Sequence, residues 1–261
     1  VRRPERFFED IVLSAETERA IRRSMEEFRR WEVLEANGLT PTRRLLFFGP
    51  PGCGKTVVAE AISTALSLPL LYVRFDAVVS SLLGETAANL RRVFEYASRG
   101  QWVVFFDEFD AIGRSRDDAT EHGELKRVVN SFLQILDNFG GRSLVIAATN
   151  FEQALDPAIW RRFDEVIRFD LPSSDNLRLL LERKLAGLSL PQRFREELVE
   201  QLGVTTYAEA ERLAFDIRKA CALSGSKSVT REIRDEALDR WKTRASAMKA
   251  PRAGSPRITT K

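Results

Sequence analysis

Short apolar runs alternate with longer amphipathic stretches along the chain as far as about residue 170. The runs are RLLFF (44–48), LLYVRF (70–75), WVVFF (102–106), SLVIAAT (143–149) and EVIRF (165–169). Helix-like spacing of apolar positions covers roughly 16–36, 54–67, 85–98, 121–139 and 152–159. Buried strands joined by crossover helices form parallel sheets, so this pattern predicts an α/β domain built on a mostly parallel sheet.

The strand-like runs end at DLPSSDN (170–176), and only helical patterns follow. These patterns cover about 175–187, 193–202, 206–223 and 230–248. Proline and serine residues at 172–174 supply turn and helix-capping chemistry at the junction. We therefore predict a sheet-containing domain over 1–170, a small all-helical domain over 171–250 and a disordered basic tail over 251–261.

Composition excludes several classes of protein. The 261 residues are 44% hydrophobic and 30% charged, which is typical of a soluble globular protein. No apolar run approaches the roughly 18 residues that span a bilayer, and the first residues lack the apolar core of a signal peptide. We therefore expect a cytoplasmic protein without a membrane partner. The chain begins with Val1, and the sequence leaves open whether another domain precedes it.

The chain contains too few cysteines and histidines for a metal cage. Its cysteines are Cys53 and Cys221, and His122 is the single histidine. A disulfide framework or a structural zinc site requires more of these residues. The net charge of +3, from 41 basic and 38 acidic residues, is too small to favour nucleic acid as a partner.

The segment GPPGCGKT (49–56) carries the strongest chemical signal. It matches the pattern G-x-x-x-x-G-K-[ST], follows the first strand-like run and opens the next helix. Glycines let backbone N–H groups surround phosphate oxygens, Lys55 can meet the β and γ phosphates, and Thr56 can bind Mg²⁺. The alternative is a glycine-rich turn without function, which the position between strand and helix disfavours. We therefore predict a nucleotide phosphate site.

Two further strand ends carry polar side chains. The run VVFFDEFD (103–110) reaches Asp107 and Glu108, adjacent carboxylates that are costly to bury without partners. Asp107 can hold Mg²⁺, and Glu108 can activate an attacking water. The run LVIAATN (144–150) delivers Asn150, whose amide could hold that water. A solvated strand end and an asparagine that begins a turn are the respective alternatives.

The segments GPPGCGKT, FFDEFDAIG, AATN and LDPAIWRRFD, in this order and spacing, resemble those of AAA+ ATPases. The resemblance covers roughly residues 8–245 and is closest to the AAA subgroup with katanin, spastin, the proteasomal ATPases and small bacterial AAA proteins. It implies a P-loop NTPase fold with a five-stranded parallel sheet flanked by helices, a four-helix lid and a ring that is usually hexameric. ATP and Mg²⁺ are the implied cofactors.

The resemblance also implies a role for each matching residue. Asp107 and Glu108 take the place of the Walker B pair, and Asn150 takes that of sensor 1. Arg161 and Arg162 stand where family members supply arginine fingers to the ATP of a neighbouring subunit, and no sensor-2 arginine is evident. The implied catalytic residues are Lys55, Glu108, Asn150, Arg161 and Arg162, the implied metal ligands are Thr56 and Asp107, and the implied nucleotide contacts are Asp10, Ile11, Gly49, Pro50, Pro51, Gly52, Cys53, Gly54, Lys55, Thr56, Val57 and Ala208.

One departure from the family pattern concerns the first pore loop. SSLLGET (80–86) matches that loop, but Leu82 stands where an aromatic residue usually grips a threaded polypeptide. Leucine offers apolar area without a stacking face, so threading stays open, and packing of Leu82 in the core is the alternative. His122, near the expected second pore loop, is expected at the surface. Cys53, near a helix N-terminus, either has a lowered thiol pKa or simply fits as a small residue.

Together these features favour an ATP-driven protein remodeller, in which a Mg²⁺-dependent ATPase ring moves or unfolds a protein client. Two alternatives are a nucleotide-controlled scaffold with slow hydrolysis and a DNA-handling AAA+ protein. The set of Glu108, Asn150 and two arginines argues against the first, and the lack of a sensor-2 arginine argues against the second. Some similar small bacterial ATPases are encoded beside subtilisin-like proteases, so a protease partner is conceivable.

Overall fold

The computed structural model describes residues 1–75, 78, 86–109, 119–150 and 157–249. These residues contain a five-stranded sheet in which all neighbouring strands pair in parallel. The strands are β1 (Arg44–Phe48), β2 (Leu70–Arg74), β3 (Val103–Asp107), β4 (Leu144–Thr149) and β5 (Glu165–Arg168), in the spatial order β2-β3-β4-β1-β5. The predicted five-stranded parallel sheet is therefore confirmed.

Helices flank the sheet and connect its strands, and only helices follow it. They are α1 (Ala15–Arg29), α2 (Trp31–Ala36), α3 (Lys55–Ala65), α4 (Thr86–Ser98), α5 (Ala119–Asp137), α6 (Pro157–Trp160), α7 (Ser174–Lys184), α8 (Gln192–Leu202), α9 (Tyr207–Ser224) and α10 (Arg231–Lys249). A short 3₁₀ helix at Phe8–Asp10 precedes α1. The predicted P-loop α/β fold followed by a helical lid is confirmed.

The helix predicted over 16–36 is in fact two helices. Arg30 leaves the helical conformation with φ −93° and ψ 26°, and α2 begins at the next residue. The ring of Trp31, the first residue of α2, is buried against Phe28 of α1 with 5.6 Å between ring centroids. Apolar spacing alone does not distinguish a continuous helix from one interrupted at a single residue.

Buried aromatic rings anchor the chain at the end of β3. Phe106 stacks on Phe94 with 5.5 Å between ring centroids. Phe109, just beyond the strand, is fully buried among other rings. The backbone is thus held on both sides of Asp107 and Glu108, because close-packed rings leave little room for it to shift.

The carboxyl ends of three strands lie side by side, because β4 lies between β3 and β1. Phe48 at the end of β1 is in register with Thr149, and Phe106 of β3 is in register with Ala147. The loop after β1, the carboxylates at the end of β3 and Asn150 after β4 therefore meet at one edge of the sheet. Open α/β sheets bind their ligands at this edge.

The chain divides into two compact units, Val1–Asn176 and a second unit from Leu177 onward. The second unit has its own buried core, which includes Leu181, Leu198, Leu202, Leu213 and Ile217. These side chains come from α7, α8 and α9, so the helices of the second unit pack on one another. The domain bounds 1–170 and 171–250 stay predictions.

Some predictions fall outside the described residues. They concern the pore-loop position of Leu82, the surface position of the His122 side chain, the basic tail over 251–261 and the first part of the helix expected over 152–159. Among the residues that the structure does describe, no helix combines the length and apolarity needed to cross a bilayer.

Candidate active site

The loop between β1 and α3 has the backbone conformation that the glycines of GPPGCGKT predict. Gly52 has φ 76° and Gly54 has φ 95°, both in the left-handed region that glycine adopts without strain. A Cβ on Gly54 would meet no atom within 4 Å, so its backbone conformation, and not crowding, favours glycine there. The first turn of α3 follows directly at Lys55, and helix N-termini of this kind bind phosphate.

The first glycine of the loop has a different physical role. Gly49 has φ 134°, and a Cβ at this position would lie 2.1 Å from the carbonyl oxygen of Phe169. The N–H of Phe169 donates to the carbonyl of Phe48 at 2.8 Å, which holds the segment after β5 against the start of the loop. Glycine is therefore required at position 49 by close approach of two backbone segments.

Lys55 lies across the loop. Its side chain is 7% exposed, and its ammonium Nζ donates to the carbonyl oxygens of Gly49 at 2.7 Å and Pro50 at 2.9 Å. The remaining predicted contacts here differ in burial: Pro50, Pro51 and Gly52 are exposed, while Thr56 and Val57 in the first turn of α3 are half-buried. The loop thus combines the buried ammonium group of Lys55 with exposed backbone at Pro50, Pro51 and Gly52, as a phosphate site requires.

Of the two alternatives for Cys53, the structure disfavours a lowered thiol pKa. Cys53 is 1% exposed, and burial raises the pKa of its thiol, outweighing the opposite effect of the Lys55 ammonium. The sulfur lies 4.0 Å from the carbonyl oxygen of Pro51. Removal from water disfavours the thiolate, so the simpler alternative of a small residue that fills the loop agrees better with the structure.

Asp107 is surrounded by hydrogen-bond donors. Its Oδ2 accepts from the hydroxyl of Thr56 at 3.3 Å and from the hydroxyl of Tyr72 at 2.7 Å, and its Oδ1 accepts from the N–H of Glu108 at 2.9 Å. The structure thus brings together two predicted metal ligands, Thr56 and Asp107. They come from α3 and β3, which are far apart in the sequence.

Sequence reasoning missed Tyr72, which lies on the strand next to β3. The available signal was a tyrosine within the apolar run LLYVRF, whose hydroxyl needs a partner when its ring is half-buried. Burial raises the pKa of Tyr72 to about 12, and the hydrogen bond to the Asp107 carboxylate acts in the same direction. Tyr72 therefore keeps its proton at neutral pH and acts as a donor to Asp107.

Glu108 has an unusual backbone conformation. Its φ of 55° lies in the left-handed region, which costs a residue with a side chain roughly 1 kcal/mol or more. The hydrogen bond from its N–H to Asp107 and the buried ring of Phe109 hold this conformation. The Glu108 side chain itself is exposed. Strain of this kind is often retained where an active site needs a particular side-chain position.

The residues present fit a Mg²⁺ ion. Thr56 and Asp107 place a hydroxyl and a carboxylate oxygen 3.3 Å apart beside the phosphate loop. Such hard oxygen donors suit Mg²⁺, which takes few protein ligands and completes its shell with phosphates and water. The described residues contain no group of three or more His, Cys, Asp or Glu side chains that could hold a metal.

The N-terminal segment leads past α3 to the ligand edge of the sheet. Arg6 donates its N–H to the hydroxyl of Thr64 at 3.4 Å, near the end of α3 that lies far from the phosphate loop. Thr17 donates its hydroxyl to the carbonyl of Arg168 at 2.9 Å, at the carboxyl end of β5. Asp10, exposed, and Ile11, half-buried, lie between these two anchors. Their contact with adenine stays a prediction.

Arg161 and Arg162 lie away from the chain's own phosphate loop. They occupy the turn between α6 and β5, and the N–H of Asp164 donates to the carbonyl of Arg44 at 2.9 Å, at the amino end of β1. The phosphate loop follows the opposite end of β1, about 13 Å further along at roughly 3.3 Å per residue. The Arg162 side chain pairs with Asp137 of α5 and not with the acidic residues at the end of β3, so the structure does not join it to Asp107.

Asn150 and Ala208 are two further residues that the sequence predicts to take part in the site. Asn150 is half-buried directly after β4, between the strands that carry the phosphate loop and Asp107. Ala208 belongs to the second unit and lies in the first turn of α9. Thr206 caps this helix, because its hydroxyl oxygen accepts a hydrogen bond from the N–H of Glu209 at 3.2 Å. The nucleotide contact of Ala208 stays a prediction.

Comparison with known proteins identifies relatives of this chain. A model of the ATPase family associated with various cellular activities (AAA) matches residues 45–171. An uncharacterised AAA family ATPase of Sinorhizobium fredii is 43% identical over 245 residues, which cover 91% of this chain and 73% of that protein. Proteasome-activating nucleotidase of Methanothermobacter thermautotrophicus is 31% identical over 242 residues, with 90% and 57% covered. Nuclear valosin-containing protein-like of Mus musculus is 36% identical over 195 residues, and the chain spans only 23% of its length.

Proposed function

The chain belongs to the AAA family of ATPases, and we propose that it is a Mg²⁺-dependent ATPase that hydrolyses ATP as a ring and uses the energy to remodel a protein client. The observation that carries this proposal is the placement of its polar residues. The phosphate loop, Asp107 and Asn150 lie at one edge of the sheet, whereas Arg162 pairs with Asp137, which also meets Arg44 at the amino end of β1. This separation supports the proposal that one chain contributes to two different active sites of a ring.

Within one chain, the residues at the ligand edge have complementary roles. Lys55 neutralises phosphate charge from within the loop, and Thr56 with Asp107 would hold Mg²⁺. When bound, the ion offsets the charge on the β and γ phosphates. Glu108 accepts a proton from the attacking water or polarises it, and Asn150 orients that water. The left-handed backbone of Glu108 supports this role, because it fixes where the side chain begins.

The arginines complete the active site of a neighbouring subunit. Charge builds on the transferred phosphoryl group in the transition state, and an arginine supplied in trans raises turnover by about 10³-fold or more in P-loop enzymes. The ion pair of Arg162 with Asp137, which also meets Arg44 at the amino end of β1, supports action in trans, since the phosphate loop follows the other end of that strand. A head-to-tail contact that repeats this geometry closes into a ring, and we propose a hexamer.

A protein client is proposed from the name of one relative. One relative is named proteasome-activating nucleotidase, which supports a protein client for this chain as well. We propose a cytoplasmic, chaperone-like activity on proteins, with a protease as one candidate partner. Leu82 would supply the apolar contact to a threaded client.

Mixing two inactive variants tests whether the arginines act on the ATP of a neighbouring subunit. Lys55→Ala removes the phosphate ligand but keeps the arginines, and Arg161→Ala with Arg162→Ala does the reverse. Each variant alone should hydrolyse ATP at least about 10²-fold more slowly than the unchanged chain, whereas a mixture should recover activity as mixed rings form. Arg99→Ala, an exposed arginine at the end of α4, serves as the control and should retain full turnover.

Light scattering with each sample reports assembly, so that loss of activity is not confused with loss of the ring. A mixture that assembles and stays inactive would show that the arginines do not act in trans. Slow turnover of the unchanged chain at every concentration, despite assembly, would favour the scaffold alternative.

A further inference from the structure

The carboxylate of Asp107 is held by hydrogen bonds on both oxygens. Oδ1 accepts from the N–H of Glu108 at 2.9 Å, and Oδ2 accepts from the hydroxyl of Tyr72 at 2.7 Å, shorter than the 3.3 Å contact with Thr56. The terminal torsion of an aspartate is broad when nothing constrains it. Donors on opposite oxygens set the rotation of the carboxylate group, and of the two side-chain donors Tyr72 makes the shorter bond.

Tyr72 is itself held by the N-terminal segment. The guanidinium carbon of Arg2 lies 4.0 Å from the centroid of the Tyr72 ring, a cation–π distance. Arg2 also pairs with Leu70 in an antiparallel bridge, with N–H to carbonyl distances of 2.8 Å and 2.9 Å. The bridge adds a short extended segment beside β2, the edge strand that carries Tyr72. The ring of Tyr72 therefore lies between the sheet and the positively charged guanidinium of Arg2.

We propose that Tyr72 is a positioning residue for the metal site: its hydroxyl orients Asp107 toward Mg²⁺, and Arg2 holds the Tyr72 ring in the place from which it does so. This inference rests on the proposed function, because it concerns the metal that accompanies ATP. Tyr72 acts through Asp107, since its hydroxyl proton is donated to the same carboxylate oxygen that faces Thr56.

Arg2 is thus linked through Tyr72 to the proposed metal ligand Asp107. Arg2 lies outside the phosphate loop and outside the acidic pair, yet one ring separates it from Asp107. Arg2 also forms a long ion pair with Glu60 of α3, with 3.8 Å between Nη1 and Oε1. A partner or preceding segment that pulls residues 1–4 away from β2 would loosen Tyr72 and weaken metal binding without touching the nucleotide site directly.

Tyr72→Phe tests the hydroxyl while keeping the ring. Tyr96→Phe is the matched control, because Tyr96 lies on α4 with its ring on Trp102 and takes no part in the site. Mn²⁺ serves as the probe in place of Mg²⁺, and its binding in the presence of a non-hydrolysable ATP analogue is followed by electron paramagnetic resonance. Affinity for the same analogue in EDTA and the melting temperature are measured in parallel.

We expect Tyr72→Phe to weaken Mn²⁺ binding by about tenfold, as the loss of one hydrogen bond to a charged group predicts. Its affinity for the analogue in EDTA and its melting temperature should stay close to those of Tyr96→Phe. The Mg²⁺ concentration at half-maximal ATPase activity should rise by a similar factor. Arg2→Ala should shift Mn²⁺ binding in the same direction by a smaller factor, whereas Arg3→Ala, its exposed neighbour, should not.

Equal Mn²⁺ affinity in Tyr72→Phe and Tyr96→Phe would overturn the proposal. So would a fall in analogue affinity in EDTA as large as the fall in Mn²⁺ affinity, since that result indicates a general disturbance of the site. Absence of ATPase activity in the unchanged chain would instead count against the proposed function, and the Mn²⁺ measurement would still decide the role of Tyr72.

Discussion

Arg162 forms an ion pair with Asp137, with 2.8 Å between Nη1 and Oδ2, at the last residue of α5. Asp137 also meets the guanidinium of Arg44 at 3.6 Å. The adjacent Arg161 is exposed, and its side chain makes no hydrogen bond or ion pair in the part of the chain that the structure describes. Two neighbouring arginines with the same predicted role therefore have different surroundings.

This difference predicts separable effects of two substitutions. Arg161→Ala should lower turnover by about 10³-fold and leave the melting temperature unchanged, because its charge has no partner within the chain's described residues. Arg162→Ala should lower turnover and also destabilise the fold, by no more than about 1 kcal/mol, since its ion pair is half-exposed. Steady-state kinetics and thermal melts of both variants check this. Equal melting temperatures for the two variants would contradict the assignment.

Glu108 offers a test that separates catalysis from backbone strain. Glu108→Ala and Glu108→Gly both remove the carboxylate, and both should lose hydrolysis. Glycine adopts φ near 55° without steric cost, so the Gly variant should be more stable than the Ala variant by about 1 kcal/mol. Urea unfolding of the two proteins provides the comparison. Greater stability of the Ala variant would show that the left-handed conformation is not retained.

Two glycines of the phosphate loop should respond differently to alanine. In Gly49→Ala the added Cβ lies 2.1 Å from the carbonyl oxygen of Phe169, so unfolding free energy should fall by roughly 3 kcal/mol or more. In Gly54→Ala the Cβ meets nothing within 4 Å, and only its φ of 95° is unfavourable, so the loss should be about 1–2 kcal/mol. Gly38→Ala, with φ 70° and open space around it, is a control remote from the loop. Chemical unfolding of all three variants tests the order.

Cys53 should be a slow nucleophile in the folded protein. Burial raises the pKa of its thiol, so at pH 7 to 8 a smaller fraction is thiolate than in a free cysteine, and alkylation should be correspondingly slower. Cys221 is also buried, and burial raises the pKa of its thiol too. Reaction with iodoacetamide, followed by peptide mass spectrometry, should label neither site until urea is added. Rapid labelling of Cys53 in the native protein would restore the reactive-thiol hypothesis.

Local sequence was sufficient for much of the fold. The five strands lie within two residues of the apolar runs. The central strands β1, β3 and β4 are buried along most of their length, and such strands need a continuous apolar segment whatever their neighbours are. The turn into α3 was predictable for a similar reason, since left-handed backbone and a helix start both depend on the residues that adopt them. The one-residue break at Arg30 was not predictable, because the periodic spacing of apolar residues does not indicate it.

Only the tertiary structure decided what depends on neighbours distant in the sequence. Tyr72 reaches Asp107 because β2 and β3 are adjacent in the sheet. The order of the strands in the sheet cannot be read from the apolar pattern of the sequence. The Cys53 pKa follows from burial and not from the helix N-terminus beside it. The sequence by itself determined which residues could handle phosphate and metal, since that chemistry resides in side chains. Packing decided which of these side chains contact one another, how deeply each is buried and where in the sheet each lies. Packing depends on contacts between segments that are distant in the sequence.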